Sequence, residues 1–164
     1  VTFPSGVYGL TKLQGEQAIE AVWEKHFIIR TSWVYSQFGS NFLKTMLRLA
    51  SERTSLSVVS DQIGTPTYAV DLAEVLLKIV TSKTKTFGIY NFSNEGQCSW
   101  YDFAHEIFLQ KDITIDLHAI STKLYPTPAK RPAYSVLDKS KIKATFGVNI
   151  NDWKTSLNNC LKHY

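Results

Sequence analysis

The sequence predicts an α/β fold, with mostly parallel strands and covering helices. Two observations carry this expectation. Segments with apolar residues at helical spacing alternate with short β-branched or aromatic runs, in the order helix, strand, helix, strand, helix, strand, helix. The length of 164 residues, with 44% hydrophobic and 20% charged residues, suits one domain able to bury a core.

Each element follows from its residues. Pro4, Ser5 and Gly6 read as a turn. A helix is expected from about Tyr8 to Glu24, with Leu10, Leu13, Ala18, Ile19, Val22 and Trp23 supplying its apolar positions. His26 to Ser32 reads as a buried strand that Trp33-Val34-Tyr35 extends or ends. Asn41 is a candidate N-cap for a helix carrying Phe42, Met46, Leu49 and Ala50 and ending near Arg53. Leu56 to Val59 is a short strand, and Asp61 to Thr67 a polar loop centred on Gly64 and Pro66. Ala69 to Val80 is apolar almost all round, which predicts a buried helix.

Gly88 to Ser93 is the next strand. Ser99 and Asp102 have capping-box spacing ahead of a helix whose aromatics, Trp100 among them, read as core. Ile113 to Ser121 and Tyr134 to Leu137 are further strand candidates, separated by the proline-rich loop Lys123 to Pro132. Helices near Lys139 to Thr145 and from Trp153 to Leu161 close the chain.

Composition narrows the function classes. The net charge of +4 is mild, and its densest group, Lys139, Lys141 and Lys143, reads as a solvated helix face. No basic stripe of the kind that binds nucleic acid is evident. Cys98 and Cys160 are the only cysteines and have no metal spacing, which favours a reducing compartment over a disulfide framework. The four histidines form no HExxH pattern, so no metal site is expected. No apolar run is long enough for a membrane helix and no secretory leader opens the sequence, so a cytoplasmic protein is expected. Met46 is the only methionine, so Val1 reads as a processed start or as the cut end of something longer.

The pair Tyr8 and Lys12 carries the most chemistry. Four residues apart on a helix, the two side chains share one face. A phenol is a poor proton donor at neutral pH, but a neighbouring ammonium stabilises its phenolate and suits it to acid catalysis. Such a pair can protonate a carbonyl oxygen as hydride reaches the carbon. The spacing by itself is also that of a solvated helix face. A dinucleotide-binding GxGxxG between strand and helix is missing, since Gly6 and Gly9 have no third glycine and no preceding strand.

Several separated blocks, in order, resemble one family. Tyr8-Gly9-Leu10-Thr11-Lys12 with Gly15-Glu16 looks like the YxxxK segment of extended short-chain dehydrogenases/reductases. Arg30-Thr31-Ser32-Trp33-Val34-Tyr35, Asn41-Phe42 beside Lys44-Thr45-Met46, Asp61-Gln62 with Gly64-Thr65-Pro66-Thr67, and the Tyr125 to Pro132 loop narrow the resemblance. They point to the branch that reduces dTDP-4-dehydrorhamnose for cell-surface polysaccharide.

The resemblance implies that residues 1–164 form a single truncated domain, the C-terminal part of a Rossmann-like reductase. The glycine-rich half would lie before Val1, and the fragment alone would be inactive. Tyr8 matches the proton donor, and Lys12 the lysine that holds the nicotinamide ribose and assists the tyrosine. Thr31 and Ser32 match a strand end beside the cofactor, NADP or NAD. Trp33 matches an aromatic face against the sugar, although it also reads as core. Asn41, Gln62, Thr65 and Thr67 match blocks lining the dTDP-sugar site, with loop capping as the other reading of Gln62 and Thr67. Arg131 matches an arginine suited to pyrophosphate. A homodimer is among the assemblies the resemblance allows. A non-catalytic nucleotide-sugar or partner-binding module, or a related reductase or epimerase, are the alternatives.

Overall fold

The structure is a computed structural model describing residues 4, 6–127 and 131–164. The expected turn at Ser5 and the part of the proline-rich loop at Pro128, Ala129 and Lys130 lie outside the described residues. The elements are α1 (Val7–Val22), β1 (Phe27–Arg30), β2 (Val34–Tyr35), α2 (Phe42–Glu52), β3 (Ser55–Val59), β4 (Ile63–Gly64) and β5 (Thr67–Tyr68). They continue with α3 (Ala69–Thr81), β6 (Gly88–Asn91), β7 (Cys98–Ser99), α4 (Trp100–Gln110), β8 (Asp116–Ile120), α5 (Ser140–Phe146) and α6 (Trp153–Leu161).

The strand pairs β1–β6, β2–β5 and β3–β8 are parallel, and β4–β7 is antiparallel. The parallel α/β expectation is met, but by four two-stranded pairs among the described residues instead of one continuous sheet. Trp33 explains one break. Its φ of 48° turns the chain out of β1 before β2 begins, so Val34 and Tyr35 do not extend that strand. Tyr134 to Leu137 is not a strand; Tyr134 makes a single bridge to Ile63, because β4 offers only two residues to pair with.

Two apolar clusters form the interior. Tyr35, Leu43, Met46, Leu56, Phe103, Ile107, Trp153 and Leu157 join α2, α4, α6 and β3. Val75, Ile79, Tyr90, Phe92, Ile142 and Phe146 join α3, α5 and β6. The capping box at the start of α4 forms as expected: the Ser99 hydroxyl accepts from the Asp102 amide, and the Asp102 carboxylate accepts from the Ser99 amide. Cys98 and Cys160 are free and buried; burial pushes the Cys160 thiol up to about 11 and the Cys98 thiol well up too, which keeps both unreactive.

Three expectations need correction. α3 buries only Val75 and Ile79, and leaves Leu77 and Val80 exposed, because it packs one face on β6 and nothing described covers the other. α1 has no buried residue, and Leu10, Ile19 and Val22, read as its apolar positions, are exposed. The lysine group is a solvated face only in part: Lys141 and Lys143 are exposed, but Lys139 is buried, with its ammonium donating to the Asn94 carbonyl at 3.0 Å and lying 3.5 Å from Glu95. Lys143 also pairs with Glu95, and Lys141 lies over the Tyr90 ring. No described helix is long and apolar enough to cross a membrane.

Asn94, fully buried, ties the parts together. Its carbonyl oxygen accepts from the Tyr68 amide at 2.8 Å, and its amide donates to Asp71 of α3 and Ser156 of α6. Asn94→Ala leaves those partners unsatisfied and is expected to cost about 3 kcal/mol in urea unfolding. Glu52→Ala, which breaks an exposed pair with Arg48, should cost under about 0.5 kcal/mol in the same assay.

Desolvation alone would raise the Glu95 carboxyl, but the Lys143 and Lys139 ammoniums outweigh it and hold the group below its ordinary range. The unfolded chain therefore binds the proton more readily, so this contribution is present above the ordinary carboxylate range and lost as pH falls through the folded value. Glu95→Gln should flatten the fall in unfolding midpoint between neutral and strongly acidic pH.

Candidate active site

The chain leaves β1 through Thr31, Ser32 and Trp33, and each is fixed by Thr65 in the loop after β4 or by Thr67 at the start of β5. The Ser32 hydroxyl donates to the Thr65 carbonyl at 2.9 Å, and the Thr31 and Thr67 hydroxyls meet at 3.3 Å. The Trp33 carbonyl accepts from the Thr67 amide at 3.1 Å. A left-handed backbone at a bulky residue costs on the order of 1–3 kcal/mol, so it persists only where neighbours over-determine it. Here they do. The Trp33 indole stacks on Trp100 with centroids 3.6 Å apart and planes 14° apart. Gly64 provides the room: a Cβ there would stand 2.6 Å from Trp33 Cε2 and Cζ2.

Of the residues expected at the cofactor and substrate, five come together and Gln62, Asn41 and Arg131 lie outside their hydrogen-bonded cluster. Thr31, Ser32, Trp33, Thr65 and Thr67 form one cluster. Thr65 and Thr67 are fully buried, and the Thr65 hydroxyl donates to the Gly96 carbonyl, so both serve the architecture of this loop. Gln62 is buried too, donating to the Thr122 hydroxyl at 3.0 Å beside an Asp61 carboxylate that accepts from the Thr122 amide. Asn41 is the N-cap expected of it: Oδ1 accepts from the Lys44 amide, while Nδ2 donates to the Ser36 and Phe38 carbonyls and pins the loop after β2. Arg131 is exposed, next to the undescribed stretch.

Tyr8 and Lys12 stand apart. The Lys12 ammonium lies 5.6 Å from the Tyr8 ring centroid, so the two share a helix face as the spacing predicts. Tyr8 is 76% exposed, and among the described residues no hydrogen bond, ion pair or ring contact joins either side chain to the Trp33 cluster. The helix is moored instead through Glu16, whose carboxylate accepts both Nε and Nη2 of Arg30 at 2.8 and 2.5 Å. That hydrogen-bonded carboxylate holds the Arg30 guanidinium above its ordinary range. Arg30 is the last residue of β1, immediately before Thr31, so this fork connects the Tyr8 helix to the strand feeding the cluster.

Sequence reasoning missed two participants. Trp100 reads as ordinary core, and only its pairing with Trp33 shows otherwise. Glu16 had a legible signal, since it lies one turn beyond Lys12 on the same helix face. Among the described residues no group of His, Cys, Asp and Glu could hold a metal ion.

These parts define an α/β chain of the extended short-chain dehydrogenase/reductase type. The chain belongs to the family of the RmlD substrate binding domain, whose model matches residues 1–164. A dTDP-4-dehydrorhamnose reductase of Aggregatibacter actinomycetemcomitans is 45% identical over 97% of this chain and 58% of that protein. The crystal structure of a dTDP-4-dehydrorhamnose reductase ortholog from Clostridium acetobutylicum superposes with a TM-score of 0.94 at 42% identity, covering 99% of this chain and 57% of that one. The Bacillus anthracis enzyme, solved in complex with NADP, gives a TM-score of 0.92 at 37% identity, covering 98% and 56%. The chain thus spans a little over half the length of the relatives it matches.

If the Arg30–Glu16 fork is what holds α1, Glu16→Ala should speed amide hydrogen exchange throughout α1. The urea midpoint should hardly move, because that helix contributes no fully buried residue to the core.

Proposed function

We propose that this chain is the proton-donating and sugar-binding part of a reductase that converts dTDP-4-dehydro-6-deoxy-L-mannose to dTDP-L-rhamnose. The observation that carries the reading is the Tyr8–Lys12 pair on one face of α1, moored to the strand that runs into the Trp33 cluster. Family membership and the named activity of close relatives support it.

A dinucleotide cofactor fits the residues present. The phenol and ammonium carry no other partner among the described residues, and both are exposed to receive one. NADPH, the reduced form of the NADP bound in the Bacillus anthracis relative, or NADH would supply hydride to the sugar C4. Lys12 would hold the nicotinamide ribose and favour the phenolate of Tyr8 as the proton leaves. The Tyr8 hydroxyl donates its proton to the C4 oxygen, so that the ketone becomes an alcohol. Thr31 and Ser32 bring the strand end beside the nicotinamide. Trp33 presents an apolar face to the deoxysugar, and Arg131 suits the pyrophosphate through its planar fork. The buried Gln62, Thr65 and Thr67 contribute by shaping the wall, as Asn41 does by fixing the loop after β2.

A cytoplasmic setting goes with this reading, since the two thiols are free. A homodimer is one assembly it allows, and analytical ultracentrifugation decides that point.

In the full-length reductase, Tyr8→Phe should lower kcat by about 10²- to 10⁴-fold and leave dTDP binding unchanged in calorimetry. This chain alone should show no NADPH turnover. Undiminished turnover by Tyr8→Phe would overturn the assignment of the acid, and robust activity of the isolated chain would overturn the division of labour.

A further inference from the structure

The sequence gives Trp100 no role beyond packing, yet its placement is specific. It is the first residue of α4, and the capping box between Ser99 and Asp102 fixes where that helix begins. The β4–β7 pairing sets Gly64 opposite Cys98, two residues before Trp100. The indoles of Trp33 and Trp100 therefore meet face to face, at 3.6 Å between centroids. Behind them Phe42 tilts against Trp100 at 4.7 Å and stacks on Phe103 at 5.5 Å. Phe103 is completely buried, so a relay of four rings runs from Trp33 into the core.

Trp33 needs such a support. Its backbone sits in the left-handed region, and a hydrogen bond to its carbonyl holds the main chain but not the ring. The ring plane is set by Trp100 and by the narrow space above Gly64.

We propose that Trp100 is a positioning residue for the sugar of the nucleotide-sugar substrate, acting through the plane of Trp33. This rests on the reading of Trp33 as the sugar-facing ring. Trp100 does not touch substrate; it fixes the angle of the surface that does. Gly64 belongs to the same device, because a Cβ there would stand 2.6 Å from the Trp33 ring, which would have to shift from its place in the stack.

The test separates the ring from the nucleotide. In the full-length protein, affinities for dTDP-L-rhamnose and for dTDP are measured by calorimetry for wild type, Trp100→Leu, Trp100→Phe, Gly64→Ala and Trp33→Leu. Far-ultraviolet circular dichroism follows the exciton couplet that two stacked indoles produce. Trp100→Leu and Gly64→Ala should weaken dTDP-L-rhamnose roughly three- to tenfold and leave dTDP within about twofold. Trp100→Phe keeps a flat face and should restore most of the sugar affinity, although the couplet disappears. Equal losses for dTDP and dTDP-L-rhamnose in Trp100→Leu, or no loss for either, would overturn the proposal. The same holds if Trp100→Leu fails to fold and Gly64→Ala shows no selective loss. If Trp33→Leu itself binds dTDP-L-rhamnose as wild type does, the sugar-facing role of Trp33 falls, and that failure is distinct because it appears without any change at Trp100.

Discussion

The left-handed turn at Trp33 is the constraint on which the arrangement depends. An extended residue there would carry β1 straight on, and Val34 and Tyr35 would not meet Thr67 and Tyr68. That short parallel pairing starts α3 at Ala69 and presents the Tyr68 amide to Asn94. Asn94 in turn gathers Asp71 and Ser156, so α3 and α6 are positioned from the same point. A conformation costing on the order of 1–3 kcal/mol is thus sustained by a hydrogen-bonded segment, a stacked indole and a buried amide network.

The two halves of the proposed chemistry are held differently. The Trp33 cluster is built on buried threonines and a relay of rings, which suits a surface that must present one fixed shape. The Tyr8 helix has no fully buried residue and hangs on a carboxylate–guanidinium fork. A partly buried fork resists solvent competition better than an exposed ion pair, and it leaves the Tyr8–Lys12 face uncovered. The fork that moors the Tyr8 helix and the Trp33 cluster are thus adjacent in the chain, Arg30 being followed directly by Thr31.

Much of this was legible locally. The Asn41 cap, the Ser99–Asp102 box and the helix spacing of α2, α4 and α6 are decided by near neighbours in sequence, whereas β1, which reads as a buried strand, is only half-buried along its four residues. The Tyr8–Lys12 relation needs only the helical repeat. The two-residue strands β4, β5 and β7 were hidden in what reads as polar loop, because a ladder this short exists only through its distant partner. Lys139 was misjudged for a similar reason: an ammonium is buried here because the Asn94 carbonyl and Glu95, far away in sequence, receive it. The stack of Trp33 on Trp100, with its close approach to Gly64, depends on long-range contacts of the same kind.

The central claim is that Tyr8 and Trp33 address one sugar. The most direct measurement is a crystal structure of the full-length reductase with NADP and dTDP-L-rhamnose. The account predicts the Tyr8 hydroxyl within about 2.6–3.2 Å of the C4 oxygen while the Trp33 indole lies against the same ring. A sugar seated on Trp33 with Tyr8 still turned to solvent would contradict it.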